Sequence, residues 1–223
     1  MLKLLNRGFI FRICIYLVGF FAIALGGVFT INSAMGVSPM NALPYVISHL
    51  TPLSLGFWFT LQFSLFVVIQ KIILGKRFSW IQVLQVPASM VFGYFVDLAR
   101  LLVGDLFIPT YFGQLTLLFI GMFFIATGIT MVLSTGFLTL PPEGLVLAFI
   151  KVKPKLQFST VMIRISIVIV GLSVILSMLF LGELVGAREG TIIAALVTGK
   201  MVPWVKGMYN PLMSRFNIEG FVS

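Results

Sequence analysis

Few residues in this chain can do chemistry, and those that can sit inside apolar runs. Arg164 lies about two turns into one long hydrophobic stretch, and Glu143 opens a short segment ahead of it. A charge in hydrocarbon is costly enough that an intramembrane ionisable residue marks function by default. A shift of 102 positions relates Arg164 to Gln62 and Glu143 to Asn41. Two matched polar pairs point to a binding site between two copies of one unit. Ser38 precedes Pro39 beside the first pair, and Thr191 and Lys200 lie on the last apolar run. Ser38, Asn41, Gln62, Glu143, Arg164, Thr191 and Lys200 therefore form the expected substrate-binding set. Arg164 has two readings. It binds an anionic group, or is freed from Glu143 when substrate or a proton arrives; alternatively it forms a permanent pair with Glu143 that only orients helices. Lys200 has a stem long enough to snorkel to the cytoplasmic surface.

Other chemistries lack their residues. One histidine, His49, and one distant cysteine, Cys14, supply no metal-ligand cluster. No glycine-rich phosphate loop, nucleophile elbow or HExxH stretch is present, and Glu143 alone is not a catalytic constellation. No metal, cofactor or catalytic residue is assigned, and an enzyme is not expected. Cys14 reads as a small buried hydrophobe, His49 as a surface residue, and Asp97 and Arg100 as a surface ion pair.

The elements that position these residues follow from composition. The chain has 223 residues, 60% hydrophobic and 9% charged, against about a quarter charged in an ordinary soluble domain. Its solvent is lipid. A helical span needs about 20 apolar residues, and six runs qualify: 10–31, 55–74, 81–103, 112–134, 158–181 and 191–208. They are continuously apolar rather than alternating, which argues against a barrel. The first run follows Lys3 and Arg7 but is too long for a signal peptide, so it reads as a retained span. The net charge of +9 is scattered over short loops, with no basic face for nucleic acid. With both termini in the cytoplasm, 11 of the 15 Lys and Arg fall on the cytoplasmic side and only Arg100 and Arg188 outside. That asymmetry sets the expected orientation in the plasma (inner) membrane.

The chain is also written twice. Gly19, Phe21, Ile23, Ala24 and Gly26 recur as Gly121, Phe123, Ile125, Ala126 and Gly128, again 102 positions on. Pro39 falls on Pro141, Leu43 on Leu145 and Ser64 on Ser166; Gly93 falls on Gly199 after four extra residues. The expected halves are 1–104 and 105–223, within one membrane domain. Each holds three spans and one short proline-led segment, 39–50 or 142–150. Segments this short do not span, so they are expected to be re-entrant, each dipping in and returning on its own side. Three spans per half is odd, so the copies run in opposite senses, as in several secondary transporters. The expected fold is all-α: six transmembrane helices, two short re-entrant helices and a 3+3 inverted-topology repeat. Ser38-Pro39 fits a helix start. Two opposed helix N-termini near the midplane would form an anion- or dipole-binding locus. The other arrangement lays both short helices flat at the interface, with no site between them.

Several stretches together resemble a family. Gly36-Val37-Ser38-Pro39-Met40-Asn41 resembles the G-x-S-P-W-D of the YczE/YyaS/YitT group of bacterial membrane proteins. Pro142-Glu143-Gly144-Leu145 resembles its P-R-D-G-L, Ile163-Arg164 its V-R, and Gly190-Thr191 with Gly199 its G-T-x…G. The order and spacing cover nearly the whole chain and are closest to the YczE type. Met40-Asn41 and Pro142-Glu143 depart from the family's Trp-Asp and Arg-Asp. The resemblance implies a transporter-like protein of the bacterial plasma membrane.

The expectation is a small-molecule transporter or exporter whose midplane site takes an anionic or zwitterionic substrate. The alternative is a non-transporting membrane scaffold or accessory subunit, with a closed midplane and Arg164 locked to Glu143. Expected partners are the lipid bilayer and the substrate; a homo-oligomer or a membrane-protein partner stays open.

Overall fold

The computed structural model describes residues 7–214, with side chains over 9–197 and 201–208. The described residues form an all-helical membrane protein. α1 is Arg7–Asn32, α2 Pro39–Leu50, α3 Leu55–Leu74, α4 Gln85–Val103, α5 Tyr111–Ser134, α6 Pro141–Val152, α7 Phe158–Leu176 and α8 Glu189–Ser214. Among the described residues, 5 helices are long and apolar enough to cross a membrane: α1, α3, α4, α5 and α7 with its extension. The sixth expected run lies on α8, part of whose side chains fall outside the described residues.

α2 and α6 have 12 residues each. At about 1.5 Å per residue each is roughly 18 Å long, short of the roughly 30 Å needed to span. Both begin on proline, which lacks an N–H to satisfy and has a backbone preset for the first turn. α4 begins later than its apolar run. Residues 80–84 form a 3-10 turn opened by Ser79 and Gln82, which cap one another, and the regular helix starts at Gln85.

α1 and α5 cross at the centre, and glycine permits the approach. A Cβ on Gly26 would sit 2.5 Å from the Gly121 carbonyl oxygen, and one on Gly121 2.7 Å from that of Gly26. Gly19 and Gly128 meet in the same reciprocal way, at 3.0 and 2.5 Å. Any larger residue at these four positions drives the backbones apart. α4 packs on α1 and α8 on α5; α6 lies against α3 and α2 against α7. Lipid replaces water on the outside, so large apolar side chains such as Leu65, Ile72 and Leu101 stand exposed there. Cys14 is exposed on α1 as well. The helical period turns it to the face shared with Ile10, Leu17 and Val18, so it is not the buried hydrophobe expected.

The pairing is uneven at one place. α3 lies along α4, while α7 and α8 make no comparable contact among the described residues. A clasp holds the first pair. Gly56 and Gly93 let the backbones touch. The Asp97 carboxylate accepts from Ser54 Oγ at 2.6 Å and from the Gly56 amide at 2.8 Å. Asp97 thus caps the start of α3 and is not engaged in the ion pair expected with Arg100. At the expected shifts of 102 and 106 positions, Ser54, Gly56 and Asp97 fall on Leu156, Phe158 and Pro203. Those positions carry none of the clasp's polar groups, and a phenylalanine stands in place of the contact glycine.

Candidate binding site

The gap beside α7 opens into a cavity of about 990 Å³. All eight helices contribute to its wall. The starts of the two short helices face it through Ser38 and Asn41 on one side and Pro142 and Glu143 on the other. Phe59, Phe63 and Phe92 form an aromatic wall, with Phe63 and Phe92 stacked at 5.3 Å and Phe59 set edge-on to Phe92. Ser159 and Ser166 on α7 and Thr191 on α8 add hydroxyls.

α3 holds both short-helix starts through two glutamines on its buried face. Gln62 donates from Nε2 to the Met40 carbonyl at 3.0 Å. Gln70, two turns on, donates to the Pro141 carbonyl at 3.2 Å and to Gln85 Oε1 at 3.0 Å. Eight residues of helix set these anchor points about 12 Å apart along α3. Gln70 is wholly buried and Gln85 nearly so, and buried amides are stable only when paired. Gly144 lies against both: a Cβ there would come within 2.9 Å of Gln85 Nε2 and 3.0 Å of the Gln70 amide. Tyr16 on α1 donates its hydroxyl to the Leu138 carbonyl at 3.1 Å, holding the chain that leads into α6.

The chain leading into α2 is held by the loop before α8. The Val37 amide donates to the Gly186 carbonyl, and the Gly190 amide to the Met35 carbonyl, each at 2.8 Å. Arg188 reaches the Ala34 carbonyl at 2.9 Å. Gly36 has φ +107, open to glycine at no steric cost, and its missing Cβ leaves room for Thr191 Oγ1 and the Arg188 backbone. Thr191 donates to the Gly186 carbonyl, so it shapes this junction as well as facing the cavity.

The expected site residues separate by position. Ser38, Asn41, Glu143 and Thr191 face the cavity. Gln62 is buried behind the start of α2, with its Oε1 unpartnered. Arg164 is exposed on α7, and the expected Arg164–Glu143 pair is not formed. The reason is rotation on the helix: Ile163, Ser166, Ile167 and Val170 take the cavity-facing side and turn Arg164 away. The Lys200 side chain lies outside the described residues. His49 is exposed, with Nδ1 2.9 Å from the Tyr45 carbonyl.

Glu143 is thus left without its expected partner. It sits in the first turn of α6, where the helix dipole favours a carboxylate, and its Oε2 is buried with no hydrogen bond. The anchoring role of Gln62, the Gln70–Gln85 pair, the aromatic wall and the Asp97 clasp were not anticipated from sequence. Gln70, Gln82 and Gln85 did carry a signal, since three amides flank one basic loop at the edge of apolar runs.

Comparison with curated proteins and with solved structures returned no match. Residues 10–207 match the family described as "Family of unknown function (DUF6198)", and the chain belongs to that family.

Proposed function

We propose that this chain is a small-molecule transporter of the plasma membrane, with six spans, two re-entrant helices and both termini in the cytoplasm. Its halves form an inverted repeat, and substrate binds between them at the starts of α2 and α6. The observation that carries this reading is the cavity bounded by both short-helix starts, with the half-buried Glu143 on its wall and one of its carboxylate oxygens, Oε2, buried without a hydrogen bond. Several contacts support the inverted repeat. The Gly19–Gly128 contact becomes the Gly121–Gly26 contact when the halves are exchanged. Likewise α1–α4 becomes α5–α8, and α3–α6 becomes α7–α2. In transporters built from inverted repeats, sites lie at the repeat interface and one half rocks against the other. In this account the α7–α8 pair, which lacks the polar groups of the clasp, is the moving part, and the clasped α3–α4 pair the fixed one.

The scaffold reading requires a closed midplane and a locked Arg164–Glu143 pair, and the described residues offer neither. The resemblance to the YczE/YyaS/YitT group belongs with the transport proposal. The test is two-sided accessibility of Ser166→Cys in a Cys14→Ser background, using an impermeant maleimide on right-side-out and inverted vesicles. Alternating access predicts labelling from each side. Labelling from one side only, or none, removes transport through this cavity.

A further inference from the structure

We propose that the cavity binds an amphipathic organic cation, with the Glu143 carboxylate as its charge partner. This deepens the transport reading and rests on it for identifying the cavity as the substrate's site. Among the described lining residues, Glu143 is the only ionisable one. The rest of the wall is aliphatic and aromatic apart from neutral hydroxyls and the Asn41 amide. A carboxylate withdrawn from water needs a proton or a cation beside it. Of the two cations the sequence offered, Arg164 faces away and the Lys200 side chain lies outside the described residues; Glu143 Oε2 has no hydrogen-bond partner. A cationic ligand in the cavity would supply the positive charge that no described side chain on its wall supplies.

The wall suits such a ligand in two further ways. Phenylalanine rings attract a cation over their faces, and Phe59, Phe63 and Phe92 line the cavity together. A space of about 990 Å³ is at the upper end of the roughly 300–1,000 Å³ typical of small-molecule sites, room for a bulky apolar body. An anionic substrate would meet Glu143 with no described cation on the wall to offset it. A cationic class is therefore proposed in place of the anionic or zwitterionic one expected from Arg164.

The test uses two probes of nearly equal shape and opposite charge, tetraphenylphosphonium and tetraphenylborate. Binding is measured by calorimetry on the full chain in uncharged phosphatidylcholine nanodiscs. Saturable phosphonium binding without borate binding is expected. Glu143→Gln should weaken phosphonium binding roughly tenfold, the effect of losing a charged partner, while Glu143→Asp retains most of it. Equal affinity for both probes, no phosphonium binding, or unchanged affinity in a folded Glu143→Gln protein each overturns the proposal. Two-sided Ser166→Cys labelling without phosphonium binding removes the cationic ligand and leaves transport standing. Phosphonium binding dependent on Glu143 with one-sided labelling does the reverse.

Discussion

Asp97 shows how one carboxylate can fix a helix start and a helix pair at once. It takes the Ser54 hydroxyl and the Gly56 amide, both more than 40 positions away in sequence. Asp97→Ala removes a cap of the kind worth about 1–2 kcal/mol, so thermal unfolding of the purified protein should move down by several degrees. Arg100→Ala should leave it unchanged, because Asp97 uses other partners. Gly144→Ala is the sharper residue-level test. Its methyl meets the Gln70 and Gln85 amides, which are buried and paired, so we expect a loss of about 1–3 kcal/mol, read from the same unfolding curves. Glu143 and Asn41 were conspicuous in the sequence because polar residues stand out in apolar runs, and both face the cavity. It misplaced Arg164 because both faces of that run are apolar, so nothing in it says which side meets the protein. It missed Asp97's role because Arg100 was near in sequence and Ser54 was not.

At the scale of elements, glycine decides which helices touch. Gly121→Val puts branched carbons against the Gly26 carbonyl and should cost roughly 2 kcal/mol or more, visible as lost monodispersity or a lowered unfolding temperature. Gly171 lines the cavity, and a Cβ there meets nothing within 4 Å. Gly171→Leu should therefore fold as well as the native protein and block phosphonium binding; a folding defect there would mean the cavity is smaller than described. The long helices and the two short ones were legible because apolar length and a proline-led start are local signals. Expected segments 39–50 and 142–150 correspond to α2 at Pro39–Leu50 and α6 at Pro141–Val152. The 3-10 start before α4 was not legible, since residues 80–84 are as apolar as a regular turn.

For the whole molecule, the central claim is an asymmetry between the two proposed halves. The clasp of Ser54, Gly56, Gly93 and Asp97 closes α3 on α4, and its counterparts on α7 and α8 lack the polar groups. Transplanting it with Leu156→Ser, Phe158→Gly and Pro203→Asp should draw α7 onto α8 and abolish two-sided labelling of Ser166→Cys in an otherwise folded protein. The difference was visible in the two copies, but its meaning needed the contacts, because a shift of 102 or 106 says which residues correspond and not which ones touch. The most direct measurement is the distance between spin labels on Leu172 of α7 and Leu196 of α8, both exposed, in nanodiscs. A matched pair on Leu65 of α3 and Met90 of α4, exposed as well, serves as the reference. The account predicts two distance populations for the α7–α8 pair and one narrow population for the α3–α4 pair. A single narrow distance for both pairs would contradict it.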